Sequence, residues 1–149
     1  MRVLFATSEI FPLMKTGGLA DVSASLPHAL LELGVDIRLV MPAYADTLAR
    51  LKAWQVVCEL NLGQFGAARL LKAQIPDNPV PLYLVDHPGF SARKGNPYND
   101  ANGHAWSDNA ERFTLFGRAC ELLALDQAML DWQPDIVHGN DWQTGILLS

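Results

Sequence analysis

Cysteine is scarce in this sequence: Cys58 and Cys120 are the only two among 149 residues, and no C-x-x-C spacing occurs. That removes a zinc-ribbon ligand set and a disulfide framework, leaving two small buried hydrophobes in a reducing cytoplasm as the expectation. Long apolar runs are missing too, none approaching the ~18–20 consecutive apolar residues a membrane span needs, so the chain reads as soluble. Met1-Arg2-Val3-Leu4-Phe5 places one positive charge before an apolar run, but the run stops at Ala6 and Glu9 follows, unlike a secretory signal. Basic clusters are also lacking: Lys and Arg number 11 against 16 Asp and Glu, the net charge is −5, and no Lys/Arg run occurs. The electrostatic footprint of nucleic-acid binding is therefore absent. His87, His104 and His138 fall at no metal-ligand spacing, so no metal and no resident cofactor is expected. A small molecule or a neutral polymer fits better as partner.

What is present is an apolar half of the composition, enough for one core in one domain spanning 1–149. Arg2 to Thr7 reads as a short strand, followed by the aperiodic stretch Ser8 to Thr16, which contains Pro12. From Gly18, the residues Leu19, Val22, Leu26, Ala29, Leu30 and Leu33 recur at helical spacing, and Gly34 stands as a stop signal. Pro27 inside that run predicts a kink, or a break and restart near Ser25. Val35 to Met41 is a second strand ended by Pro42, completing a βαβ unit with parallel neighbouring strands.

Beyond it, Ala45 to Trp54 reads as a short helix. Val56 to Leu62 and Ala67 to Ile75 read as strands joined by a Gly63-Gln64-Phe65-Gly66 turn, a hairpin inserted in the sheet, and Val80 to Val85 as a further strand. Asn109 to Leu125 is the clearest helix, and Asp135 to His138 is a short strand behind Pro134. The pattern predicts an α/β, Rossmann-like parallel-sheet domain with helices on both faces. Between His87 and Ser107 lies a turn-rich stretch carrying three aromatics, Phe90, Tyr98 and Trp106, a composition that favours a functional loop. The last residues, Gly145 to Ser149, read as the opening of a helix without a stop signal, as expected of a truncated domain.

The sharpest local feature is Lys15-Thr16-Gly17-Gly18-Leu19-Ala20-Asp21, between the first strand and the first helix. Two glycines permit close backbone approach, a helix N-terminus offers unpaired amides and partial positive charge, and Lys15 adds a full charge. An anion site and a plain Gly-Gly turn into a helix with a solvated lysine are both compatible with this string. A dinucleotide site would need G-x-G-x-x-G after the first strand and an acid ending the second; here those places hold Thr7-Ser8-Glu9 and Val40-Met41-Pro42. G-x-x-x-x-G-K-[ST] is likewise absent. Asp141, just past the last strand, stands at the carboxyl edge where open α/β sheets bind ligands, or merely caps the helix that follows.

Lys15-Thr16-Gly17-Gly18-Leu19-Ala20-Asp21-Val22, preceded by Ser8-Glu9 and Phe11-Pro12, resembles the amino-terminal signature of bacterial glycogen synthases and plant starch synthases. The resemblance continues in order through Leu26-Pro27, Asn96-Pro97-Tyr98, Asp108-Asn109-Ala110-Glu111-Arg112-Phe113 and Pro134-Asp135-Ile136-Val137-His138-Gly139-Asn140-Asp141-Trp142, across nearly the whole chain. It implies the amino-terminal half of a two-domain (GT-B type) glycosyltransferase that passes glucose from ADP-glucose to an α-1,4-glucan such as glycogen, with retention of configuration.

Carried over by position, Lys15 would meet the donor phosphates, and the Gly17 and Gly18 amides the pyrophosphate or the transferring glucose. Asp21 and Asp141 would be the catalytic candidates: Asp141 near glucose and acceptor, and Asp21, one turn into the helix, either facing the cleft or simply complementing the helix dipole. Tyr98, Asn99 and Asp100 would form the acceptor side, where an aromatic ring beside polar groups suits a sugar. Charge developing on leaving ADP could be met by a lysine and a helix N-terminus, with no metal required. The family usually has histidine where this sequence has Asn140, and often at Gln143, so no histidine role is carried to either. The donor nucleotide would be held mainly by a second domain, absent here, so this piece alone is expected to be inactive. A relative using UDP-glucose or another sugar nucleotide, and a non-catalytic glucan-binding module, remain as alternatives.

Overall fold

The computed structural model describes the whole chain, Met1–Ser149. One sheet holds six strands, β1 (Arg2–Ala6), β2 (Asp36–Pro42), β3 (Trp54–Asn61), β4 (Ala67–Gln74), β5 (Pro81–Asp86) and β6 (Ile136–Gly139), in the spatial order β3-β4-β5-β2-β1-β6. Four α-helices accompany it: α1 (Gly18–Glu32), α2 (Ala45–Arg50), α3 (Pro88–Ser91) and α4 (Asn109–Ala124). Short 3-10 segments occupy Gly63–Phe65 and Trp142–Leu148. No helix is long and apolar enough to cross a membrane.

β1 lies between β2 and β6 and runs parallel to both, and β2 runs parallel to β5. Val3, Leu4, Phe5 and Ala6 are all buried, and since consecutive strand residues point to opposite faces, β1 is covered on both. The parallel sheet expected from the sequence is corrected at one edge, where β3, β4 and β5 pair antiparallel. The cause is connection length: the link around Gly63 and Gly66, both at positive φ, is far too short for a parallel crossover. The inserted hairpin read from the sequence is therefore present, and the sheet is mixed.

α1 departs from expectation in two ways. It runs through Pro27 as one helix, with that ring buried, so packing outweighs the ~3 kcal/mol a mid-helix proline typically costs. Its buried face is Ala20, Ser23 and Pro27, whereas Val22, Leu26 and Leu33 of the apolar periodicity are exposed. Small residues let the helix approach the end of β1 closely, where the Ser23 and Thr7 hydroxyls lie 2.9 Å apart. The helix does stop as read, with Gly34 at φ 87° just past its C-cap Leu33.

α2 is shorter than expected and ends at Arg50, because Trp54 already belongs to β3. It serves as a brace: Thr47 Oγ1 and Arg50 Nη1 both donate to the Leu13 carbonyl, at 3.1 and 2.9 Å, fixing the segment between β1 and α1. Cys120 is fully buried in α4, and Cys58 is half-buried on β3.

Candidate active site

β1 and β6 are adjacent and parallel, so the chain leaves both at the same carboxyl edge. β1 leads back to β2 on one side, while β6 lies on the other, so this is the point where the sheet order reverses and where such sheets bind ligands. Out of β1 comes Thr7-Ser8-Glu9 and then the Lys15-to-Gly18 turn; out of β6 comes Asn140-Asp141. Asn140 Nδ2 donates to the Ala6 carbonyl at 2.9 Å and locks the two exits together.

Gly17 is the N-cap of α1, with extended backbone and no side chain capping the first turn. A Cβ at Gly17 or Gly18 would meet no protein atom within 4 Å, so nothing in this chain forces glycine at either place. What glycine supplies is an uncovered backbone above the unpaired amides of a fifteen-residue helix. Lys15 and Asp21 flank these amides and pair with each other, Nζ to Oδ2 at 2.6 Å, with both side chains about half exposed. The lysine also sits 5.8 Å from the Phe11 ring centroid.

Asp141 has φ 64° and ψ −176°, a backbone region that is nearly exclusive to glycine and typically costs ~1–3 kcal/mol for other residues. Its Oδ1 accepts from the Trp142 amide at 2.7 Å, so the capping role is real, although the segment that follows is 3-10 rather than α-helical. Backbone strain at an exposed acidic residue on the sheet's carboxyl edge is the feature a plain cap leaves unexplained.

The loop from Ala92 to Asp108 is ordered by its own bonds. Arg93 grips Asp108 with two bonds of 2.6 and 2.5 Å and lies 4.8 Å from the Trp106 ring centroid, joining the loop's two ends. That hydrogen bond, acting against burial, holds the Asp108 carboxyl below its ordinary range. Asn99 pairs with Ala105 in an isolated bridge. Asp100 Oδ1 accepts from the amides of Asn102 and His104 at 2.9 and 3.0 Å, so one oxygen of this acceptor candidate is spent on its own turn.

Tyr98 is half-buried, and its hydroxyl is engaged within the chain, 2.6 Å from Glu9 Oε2 and 2.7 Å from Ser8 Oγ. Burial first, then the Glu9 hydrogen bond, pushes its phenol well up, so it stays protonated and donates to the carboxylate. The ring is what remains to offer a ligand. It lies 5.8 Å from Trp142, which in turn packs edge-on to Phe113 at 5.3 Å.

The candidates thus form two groups. Lys15, Gly17, Gly18 and Asp21 surround the start of α1, while Tyr98 and Asp141 meet around Trp142. His138 stays outside the polar network, half-buried with its ring against Phe5 at 4.7 Å.

Three residues that matter here were given no role by the sequence reading, although each falls within one of its motifs. Glu9, 97% buried, joins the two groups; the available signal was an acid within three residues of an apolar strand's carboxyl end. Trp142, an exposed aromatic beside a strained acid, sits on Tyr98. Arg112 is buried in α4 and donates to the carbonyls of Gly89 (2.7 Å) and Pro97 (3.0 Å), which anchors the loop before Tyr98. Its charged character gave no hint of burial, since arginine is mostly a surface residue.

Comparison with known proteins agrees with this geometry. Residues 2–149 match the family model of the starch synthase catalytic domain. The chain is 53% identical over 147 residues to the glycogen synthase of Cellvibrio japonicus, covering 97% of this chain and 30% of that protein. It is 53% identical over 148 residues to the glycogen synthase of Thioalkalivibrio sulfidiphilus, covering 98% and 31%. A solved structure, the catalytic domain of Starch Synthase IV from Arabidopsis thaliana bound to ADP and acarbose, is similar with a TM-score of 0.75 and 27% identity over 96% of this chain and 28% of that one. The chain therefore spans about 30% of the length of these curated relatives. The family model and the curated relatives match almost the entire chain, and this chain belongs to the starch synthase catalytic domain family.

Proposed function

We propose that residues 1–149 are the amino-terminal domain of a cytoplasmic glycogen or starch synthase, which moves glucose with retention from ADP-glucose to the non-reducing end of an α-1,4-glucan. The observation that carries this reading is that the segments leaving two adjacent parallel strands carry, on one side, Lys15 and an uncapped helix N-terminus and, on the other, the strained acid Asp141. The names of the relatives, and the ADP and acarbose bound to the Arabidopsis enzyme, supply the class of donor and acceptor.

In this reading the pyrophosphate of the donor lies over the Gly17 and Gly18 amides. Breaking the bond to glucose leaves negative charge on ADP, which Lys15 and the first turn of α1 stabilise more strongly as it develops. The Lys15–Asp21 pair does not oppose this much, because an exposed ion pair is worth only ~0–1 kcal/mol and a phosphate can displace or share it. Asp141 faces the transferring glucose, and the Tyr98 and Trp142 rings, with Asn99 and Asp100 nearby, receive the glucan end. The main nucleotide contacts lie in a second domain, so residues 1–149 alone transfer nothing.

The test is a donor competition in the full-length protein that carries this chain, with radiolabelled ADP-glucose and UDP-glucose offered together to glycogen. Label entering glycogen from ADP-glucose is the expected result. Label entering only from UDP-glucose would reassign the donor, and binding of glycogen without any incorporation would favour a glucan-binding module.

A further inference from the structure

Glu9 is 97% buried, yet none of the chain's ion pairs includes it. Removing a carboxylate from water carries a large desolvation cost, and here only hydrogen bonds offset it. Oε1 accepts from the Thr16 backbone amide at 2.5 Å; Oε2 accepts from the Thr16 hydroxyl at 2.8 Å and from the Tyr98 hydroxyl at 2.6 Å. Every partner is a donor, which suits a carboxylate. A glutamine in the same place offers one accepting oxygen and cannot take all three.

The partners lie on different elements. Thr16 sits between Lys15 and Gly17 in the turn that opens α1, and Tyr98 lies 82 positions further along, in the loop held by Arg93 and Arg112. Each side is braced independently: the Ser8 carbonyl accepts from the Tyr44 hydroxyl at 2.9 Å, and Arg50 and Thr47 fix Leu13. The Tyr98 carbonyl accepts from Asn109 Nδ2 and from the Trp106 amide, both at 2.9 Å. Ser8 Oγ also lies 2.7 Å from the Tyr98 hydroxyl, but only the Glu9 carboxylate bonds both Tyr98 and Thr16, so a shift of the loop is transmitted through it to the turn that opens α1.

We propose that Glu9 is a positioning residue that couples the phosphate-facing turn at Lys15–Gly18 to the glucan-facing ring of Tyr98, so that donor and acceptor are brought to register together. This rests on the glucan synthase reading above for the identity of the two ligands, but the mechanical link itself does not. Glu9 need touch neither substrate. Its effect appears as a cross-dependence, a change on one side altering affinity on the other, which is a coupling free energy between sites.

The experiment uses the full-length protein and three variants, Thr16→Val, Tyr98→Phe and Glu9→Gln. Thr16→Val removes a hydroxyl on the donor side and is expected to raise KM for the glucan roughly 5-fold, the lower end of typical site-to-site coupling. Tyr98→Phe keeps the acceptor-side ring and is expected to raise KM for ADP-glucose by a similar factor. In a Glu9→Gln background neither change adds further. If each variant alters KM only for its own side, with effects that multiply in the double variants, the coupling is overturned.

Amide hydrogen exchange of the ligand-free protein gives a readout independent of turnover. Protection of the Thr16 amide, bonded to Glu9, is expected to fall in Tyr98→Phe, and unchanged protection there would contradict the link. Should the wild-type protein transfer no glucose at all, the glucan synthase reading fails while exchange still decides the role of Glu9. Should Glu9→Gln fail to fold, the other two variants carry the test unaided.

Discussion

Lys15 Nζ lies 2.6 Å from Asp21 Oδ2, so the lysine proposed to meet a phosphate is held by a carboxylate within the first turn of the helix it precedes. Both side chains are about half exposed, which limits what the pair gives the fold. Lys15→Ala in the full-length protein should therefore shift unfolding free energy by less than ~1 kcal/mol in a urea titration. Donor turnover by the same variant should fall ~100-fold or more, the loss seen when one donor to developing negative charge is removed. A variant that unfolds early, or that keeps its turnover, would place Lys15 on the structural side.

Asp141 offers a test of strain. Asp141→Ala and Asp141→Gly both remove the bond to the Trp142 amide, but only glycine relaxes the backbone at φ 64°, ψ −176°. The glycine variant should be more stable than the alanine variant by ~1–3 kcal/mol in chemical denaturation, while both lose transfer activity. Equal stabilities would mean that no strain is stored there.

The sequence carried the fold further than the site. Strand positions, the Gly34 stop and the inserted hairpin follow from local periodicity and turn chemistry, and all of them appear within a residue or two. The buried face of α1 was not legible. Small residues such as Ala20 and Ser23 go inward because close approach matters more than hydrophobicity, leaving Val22 and Leu26 exposed. Local pattern could not show Pro27 passing inside an unbroken helix, since the packing that tolerates it comes from elsewhere in the chain. The places of the candidate residues, Lys15 and the glycines at the start of α1 and Asp141 just beyond β6, were readable from local pattern. Glu9 and Arg112 act through partners distant in sequence, which spacing along the chain does not reveal.

Arg112 tests how the loop before Tyr98 is held. It is a buried cation whose charge is disfavoured first by desolvation and then by Arg93, and it donates to the Gly89 and Pro97 carbonyls. Arg112→Met fills similar space but leaves those carbonyls without this donor, a loss of ~1–3 kcal/mol for each buried group left unsatisfied. A net destabilisation of about 2 kcal/mol or more is expected in urea unfolding. A neutral or stabilising outcome would mean that the cost of burying the cation outweighs its bonds.

The Arg93–Asp108 clasp predicts an acid-sensitive loop. Arg93 holds the Asp108 carboxyl below its ordinary value, so the folded state binds this proton less readily than the unfolded chain. The resulting stability is present above the unfolded value near 3.8 and is lost as pH falls through the depressed folded value. Wild type should therefore exceed Asp108→Asn in Tm at about pH 7, with the gap closing as the pH drops below about 3. A gap that stays constant across that range would remove the ion pair as its source.

The most direct measurement is the transfer of labelled glucose from ADP-glucose to glycogen by the full-length protein, run beside its Lys15→Ala and Asp141→Asn variants. Incorporation by the wild type, with a loss of two orders of magnitude or more in both folded variants, is the predicted result. No incorporation from ADP-glucose by a folded wild-type protein, or full activity in either variant, would contradict the account.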